Sequence, residues 1–211
     1  MVNAMLFSLK QFERRFPNDE ACQAYLEELR WPQGVGCPGS HCYPTEPPWR
    51  PSRGRRLICR KCRAQFSPTS GTLLDGLHTP LKVVFLSAWW LTVGSRLTTI
   101  ELQRRLGLPH YRVAQSLRLR WRLAMLEDLG MNLSEFGLCG RTGAPGGIEQ
   151  RFRDAHREAI PGVPTYSTGS KEVFELLLRS ALRLKPIKET DLRRFFRGEV
   201  VIHREGEPSS S

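Results

Sequence analysis

The 211-residue sequence contains no apolar run long enough to cross a bilayer. Its longest, Val83 to Gly94, is 12 residues with Ser87 and Thr92 inside it, against the roughly 20 a spanning helix needs, so no membrane partner is expected. The N-terminus lacks a secretory pattern, because the short run Ala4 to Phe7 is followed at once by Lys10, Glu13, Arg14 and Arg15. A cytoplasmic, reducing setting is the expectation, and there six cysteines point to metal or packing before disulfides. Acid is scarce in one place. From Pro47 to Leu126 there are two acids, Asp75 and Glu101, against 15 Lys and Arg, a local charge of +13. The remainder carries −2, and the whole chain +11. A surface tuned for solubility would mix both signs throughout, so the middle of the chain is marked for an anionic partner. With 40% hydrophobic residues the chain has apolar side chains enough for a core, which excludes wholesale disorder.

The pattern predicts a mainly α fold with a small β zinc ribbon. Residues 1–31 form an N-terminal helical segment in which Asn18 or Asp19 caps a helix to about Arg30, with Cys22, Tyr25, Leu26 and Leu29 on its apolar side. Residues 32–72 are rich in Pro, Gly, Cys and Arg and offer only short strand signals such as Arg56-Leu57-Ile58. Residues 80–94 begin with a helix-first Pro80 and are apolar nearly all round, as a core helix is. Residues 98–126 form a pair of helices, and 80–126 together make a helix-turn-helix DNA-binding unit. Residues 137–169 read as a Gly/Pro-rich linker, and 170–211 as a poorly defined tail with short helices over Lys171–Lys185 and Glu189–Arg197.

Cys37 and Cys42 form a Cys-x4-Cys knuckle, Cys59 and Cys62 a Cys-x2-Cys knuckle, and 16 residues separate them. Two tight turns that each give two thiolates supply the tetrahedral set that Zn²⁺ takes without a large core around it. His41 is an alternative ligand in place of Cys42. A closed four-cysteine site leaves no open coordination position, so the expected zinc is structural and no catalytic residue is assigned. Cys22 reads as a packing residue, and Cys139 has no evident partner. Around the knuckles Arg50, Arg53, Arg55, Arg56, Arg60, Lys61 and Arg63 form a basic stripe suited to phosphate.

Thr98-Thr99-Ile100-Glu101 is a capping box, and the helix it opens stops at Gly107 before Leu108-Pro109. A second helix begins near His110 or Tyr111, giving the parts of a helix-turn-helix. At about 100° per residue, Val113, Ala114, Leu117, Trp121, Ala124 and Met125 share an apolar arc. Tyr111, Arg112, Gln115, Arg118 and Arg122 lie opposite, and Arg and Gln are the side chains suited to guanine and adenine edges in double-stranded DNA.

In this order the ribbon and helix pair resemble the N-terminal part of the zinc-ribbon insertion-sequence transposases. The specific runs are Arg30-Trp31-Pro32-Gln33-Gly34-Val35-Gly36-Cys37-Pro38 and Gln65-Phe66-Ser67-Pro68-Thr69-Ser70-Gly71-Thr72, within a stretch from about Phe12 to Met125. The resemblance implies binding to the element's terminal DNA. It also implies a following nuclease domain in which three carboxylates hold two divalent metals. Where its first strand is expected, the chain instead enters Gly137 to Gly147, and only a faint echo appears at Gly198 to Glu205. The expectation is a DNA-binding, truncated or divergent transposase without its own catalytic centre. Two readings stay open beside it: an active or two-polypeptide transposase, and a zinc-ribbon regulator or RNA/protein interaction module. A second copy of the chain or a full-length transposase stays open as a further partner.

Overall fold

The computed structural model describes residues 7–38, 42, 46–51, 56–93, 97–131, 147–158 and 171–200. Among them lie helices α1 (Leu9–Arg15), α2 (Asp19–Arg30), α3 (Leu81–Val93), α4 (Thr99–Arg105), α5 (Tyr111–Asp128), α6 (Gly147–Glu158), α7 (Lys171–Arg183) and α8 (Glu189–Phe196). Strands β1 (Leu57–Ile58) and β2 (Gln65–Phe66) pair antiparallel, with Leu57 opposite Phe66 and Ile58 opposite Gln65. Trp49 adds an antiparallel bridge to Ile58. The chain is therefore mainly helical with one small sheet beside the cysteines.

Local chemistry sets the helix ends. Ser8 and Gln11 form a capping box on α1, and the Asn18 side chain accepts from the Ala21 amide to start α2. Asp19, at the first position of α2, also accepts from the Leu81 and Lys82 amides at 3.0 and 2.9 Å, so one carboxylate caps α3 across the fold. The predicted box on α4 is present, with the Glu101 amide donating to Thr98 Oγ1 at 3.2 Å and the Thr98 amide to Glu101 Oε2 at 2.8 Å. Gly107, at φ 61°, closes α4, with the Leu108 amide on the Gln103 carbonyl and the Gly107 amide on the Arg104 carbonyl. That left-handed residue turns the chain into α5.

A single core joins α1, α2, α3, α5, α6, α7 and α8, with α5 at its centre. Helix α3 is buried nearly all round, and its two hydroxyls are satisfied by carbonyls one turn back, Ser87 to Val84 and Thr92 to Trp89. The Trp121 indole N–H donates to Ser87 Oγ at 2.7 Å, and that of Trp89 to the Phe7 carbonyl at 2.8 Å.

Two expectations are corrected here. The stretch read as a linker over 137–169 contains α6, whose Ile148 and Phe152, one turn apart, enter the main core. The short helices expected after 170 are present as α7 and α8, and they pack into the core where the sequence suggests a poorly defined tail. Phe174 of α7 sits among Phe7, Phe12, Phe16 and Phe85, with ring centroids 5.7 to 6.0 Å away. Leu177, Leu178, Ala181, Leu192 and Phe195 complete the same buried cluster. The physical reason is that α7 and α8 are amphipathic, and their apolar faces complete the core that α1 to α5 leave open. Most of the strand echo at 198–205 lies outside the described residues, as does Cys139.

Candidate metal centre

Ribbon packing is separate from the helical core. Leu57, Cys59 and Phe66 are buried together, with Trp31, Val35, Cys37, Cys42 and Ala64 against them. Trp31 meets Phe66 edge-on, with ring centroids 5.8 Å apart. Two clamps fix this unit to the helices. Arg50 forks onto Glu27 with N···O distances of 3.0 and 2.6 Å, and Arg30 donates to the carbonyls of Ser67 and Pro68. Beyond them Leu73 and Leu74 enter the main core.

The second knuckle is shaped by backbone. The Arg63 amide donates to the Cys59 carbonyl and the Cys59 amide to the Ala64 carbonyl, which requires Arg63 at φ 62°. Cys37, Cys42, Cys59 and Cys62 place their sulfurs within 4.8 Å of one another. The Cys37–Cys62 and Cys42–Cys59 separations are 3.4 and 3.6 Å. Zn–S bonds of about 2.3 Å in a tetrahedron put sulfurs about 3.8 Å apart, so the four side chains fit a zinc ion with little adjustment. Electrostatics agree. Backbone N–H groups of Cys62 and Lys61 hold the Cys59 thiol down to about 6. Desolvation, with the Cys42 S–H donating toward the sulfurs of Cys59, Cys62 and Cys37, pushes Cys42 up to about 12. One thiolate forms readily and the next is resisted, the behaviour of a cluster that ionises fully only around a cation. Four sulfurs leave no open position, so a zinc here holds structure. His41 lies outside the described residues, and Cys42 stands in the ligand set.

The basic residues divide into three groups. Arg56, Arg60, Lys61 and Arg63 are exposed on the ribbon; Arg56 donates to Gln65, and Arg60 to the Pro47 carbonyl with Glu46 3.7 Å away. Arg53 and Arg55 lie outside the described residues. On α5, Tyr111 and Arg112 are exposed at the N-terminal end and Gln115 is partly so, beside exposed Arg104 and His110. The expectation that Arg118 and Arg122 share this open face is corrected. They are only 25% and 26% exposed, and both pair with Glu149 of α6, at 3.0 and 3.6 Å. Arg118 also donates to Thr99, and Arg122 lies over the Phe196 ring. Sequence reasoning did not anticipate Glu149, because nothing local marks an acid at the start of an unrecognised helix as a partner for α5.

Fold and site define a zinc-ribbon protein with a helical body. Residues 17–65 match the family model for the transposase zinc-ribbon domain, so the chain carries such a domain, covering α2, both knuckles, β1 and the start of β2. Comparison with curated proteins and with solved structures gave no match. Among the described residues no helix is long and apolar enough to cross a membrane.

Proposed function

We propose that the chain is a zinc-stabilised protein that binds double-stranded DNA at the ends of an insertion sequence, and that these 211 residues bind DNA without cutting it. The observation that carries the reading is the unbalanced positive surface attached to a transposase zinc-ribbon domain. Arg56, Arg60, Lys61 and Arg63 supply phosphate contacts from the ribbon. Tyr111, Arg112 and Gln115 stand at the N-terminal end of α5, the end that a recognition helix presents to base edges. Arg53 and Arg55, by their place in the same basic run, join the phosphate-binding set. Arg118 and Arg122 are left out of the reading face because both are partly buried against Glu149, whose one carboxylate offsets one of their two charges.

Four acids among the described residues that follow the ribbon support binding over cleavage. Asp128 is engaged by His156, Glu149 by two arginines, Glu175 by Tyr25 and Arg179, and Glu189 by Arg193. A two-metal nuclease needs carboxylates gathered on one pair of metal ions, whereas these four are spent on separate contacts, Glu189 on an arginine of its own helix and the others on partners in other helices. The test is incubation of the zinc-loaded chain with duplexes drawn from the DNA flanking its gene, in Mg²⁺ or Mn²⁺. Retarded, uncut DNA is expected. Strand cleavage or transfer lost on substituting one of these acids would replace this reading with the enzymatic one.

A further inference from the structure

We propose that the open face of the ribbon sheet is a stacking platform for an unpaired base of a DNA strand, with Trp49 as the platform and Arg56 and Gln65 beside it. This rests on the DNA reading above and adds a ligand that duplex recognition does not require.

The argument starts from register. The Trp49 amide donates to the Ile58 carbonyl at 2.8 Å and the Ile58 amide returns the bond at 3.0 Å, while Ile58 stands opposite Gln65. Residues directly opposite across antiparallel strands point to the same face, so Trp49, Ile58 and Gln65 make one row about 10 Å wide, two strand spacings. Arg56, two residues before Ile58, shares that face, and its guanidinium donates to Gln65 Oε1 at 3.1 Å. Leu57 and Phe66 alternate to the other side and are buried. The ribbon therefore has a dry face that packs and a wet face that carries an indole.

Trp49 is 51% exposed, whereas Trp31 of the same unit packs on Phe66. An exposed indole on the same face as hydrogen-bonding Gln and Arg side chains offers a base a flat apolar surface with edge contacts across the row. The charge at this edge suits a phosphate backbone. Arg60, Lys61 and Arg63 are exposed along the same knuckle, and the acid at the edge, Glu46, lies 3.7 Å from Arg60. A paired base inside a duplex has both faces occupied by its neighbours, so the base that meets Trp49 is single-stranded.

The test uses the zinc-loaded full chain and two probes: a blunt DNA hairpin, and the same hairpin with a short single-stranded thymine tail. Wild type is expected to prefer the tailed probe. Trp49→Leu should lower affinity for the tailed probe about tenfold and leave the blunt one nearly unchanged. Trp49→Phe, which keeps a ring, should retain most of the preference, and both variants should keep their zinc. Equal loss on both probes, or a tail preference that survives Trp49→Leu, overturns the inference. Equal wild-type binding to both probes overturns the inference alone; no binding to either removes the DNA reading and this inference with it.

Discussion

Removing the Phe174 ring tests whether the C-terminal helices belong to the same cooperative unit as the transposase-like middle. Phe174 is buried and faces four other rings, those of Phe7, Phe12, Phe16 and Phe85, drawn from α1, α3 and the connecting segments. Truncating a buried Phe to Ala costs about 3–5 kcal/mol, and aromatic pairs add about 0.5–1.5 kcal/mol each beyond buried area, which places Phe174→Ala toward the upper end. Against a typical total of about 5–15 kcal/mol, such a loss is a large share of stability. With a urea slope of about 3 kcal/mol per M, a loss of about 4 kcal/mol moves the midpoint by about 1.3 M. Tryptophan fluorescence reports it directly, since Trp89 and Trp121 are buried in that same core. A midpoint shift below about 0.3 M would refute the single-core account, on that same slope. So would loss of α7 alone while Trp89 and Trp121 stay buried.

Three further outcomes follow from the site and the helical body. Cys59→Ser should abolish stoichiometric zinc by metal analysis while the helical body keeps its far-UV signal, because ribbon and body have separate apolar clusters; retention of one zinc per chain would contradict the four-cysteine set. Arg112→Ala should relax sequence preference in a competition assay, whereas Arg118→Ala should cost about 1–2 kcal/mol of stability through its lost bonds to Glu149 and Thr99 and leave preference unchanged. The reverse pattern would move the reading face back to the middle of α5. Asp128 is held below the ordinary carboxylate range although burial opposes its charge, because His156 at 2.5 Å and Ser180 hydrogen-bond it and Arg183 is near. Its folded value lies under its unfolded one, so its contribution is complete above about pH 4 and drains away as pH falls through the folded value. Asp128→Asn should flatten that acid-side slope in pH-dependent melting, and an unchanged slope would show the pair to be inert.

What the sequence disclosed well was chemistry that acts over a few residues. The Asn18 and Thr98 caps, the Gly107 stop, Pro80 ahead of α3 and the two cysteine knuckles are local signals, and each sits where the structure has it. What escaped depends on partners distant in sequence. Helix α6 follows a Gly/Pro-rich stretch and buries Ile148 and Phe152 together with a charged residue, Arg153, which donates to the Leu91 carbonyl. Its apolar signal is too thin to outweigh its surroundings. The polar stripe of α5 reads as one open face, yet helical periodicity gives only angle. It cannot say that Glu149, 31 residues from Arg118, closes half of that stripe. Trp49 was equally silent, because its exposure follows from a bridge to Ile58 that no two-residue strand advertises.

Zinc-held DNA binding is tested most directly by an anisotropy titration of one duplex across a salt series, before and after zinc removal. The zinc-loaded chain should lose affinity steeply with salt, with a logarithmic slope of about −5 for five to six phosphates neutralised. Zinc removal should unfold the ribbon, take away the contacts of Arg56, Arg60, Lys61 and Arg63, and reduce both affinity and slope, with recovery on adding zinc back. Salt-independent binding, or the same affinity and slope with and without zinc, would contradict the account.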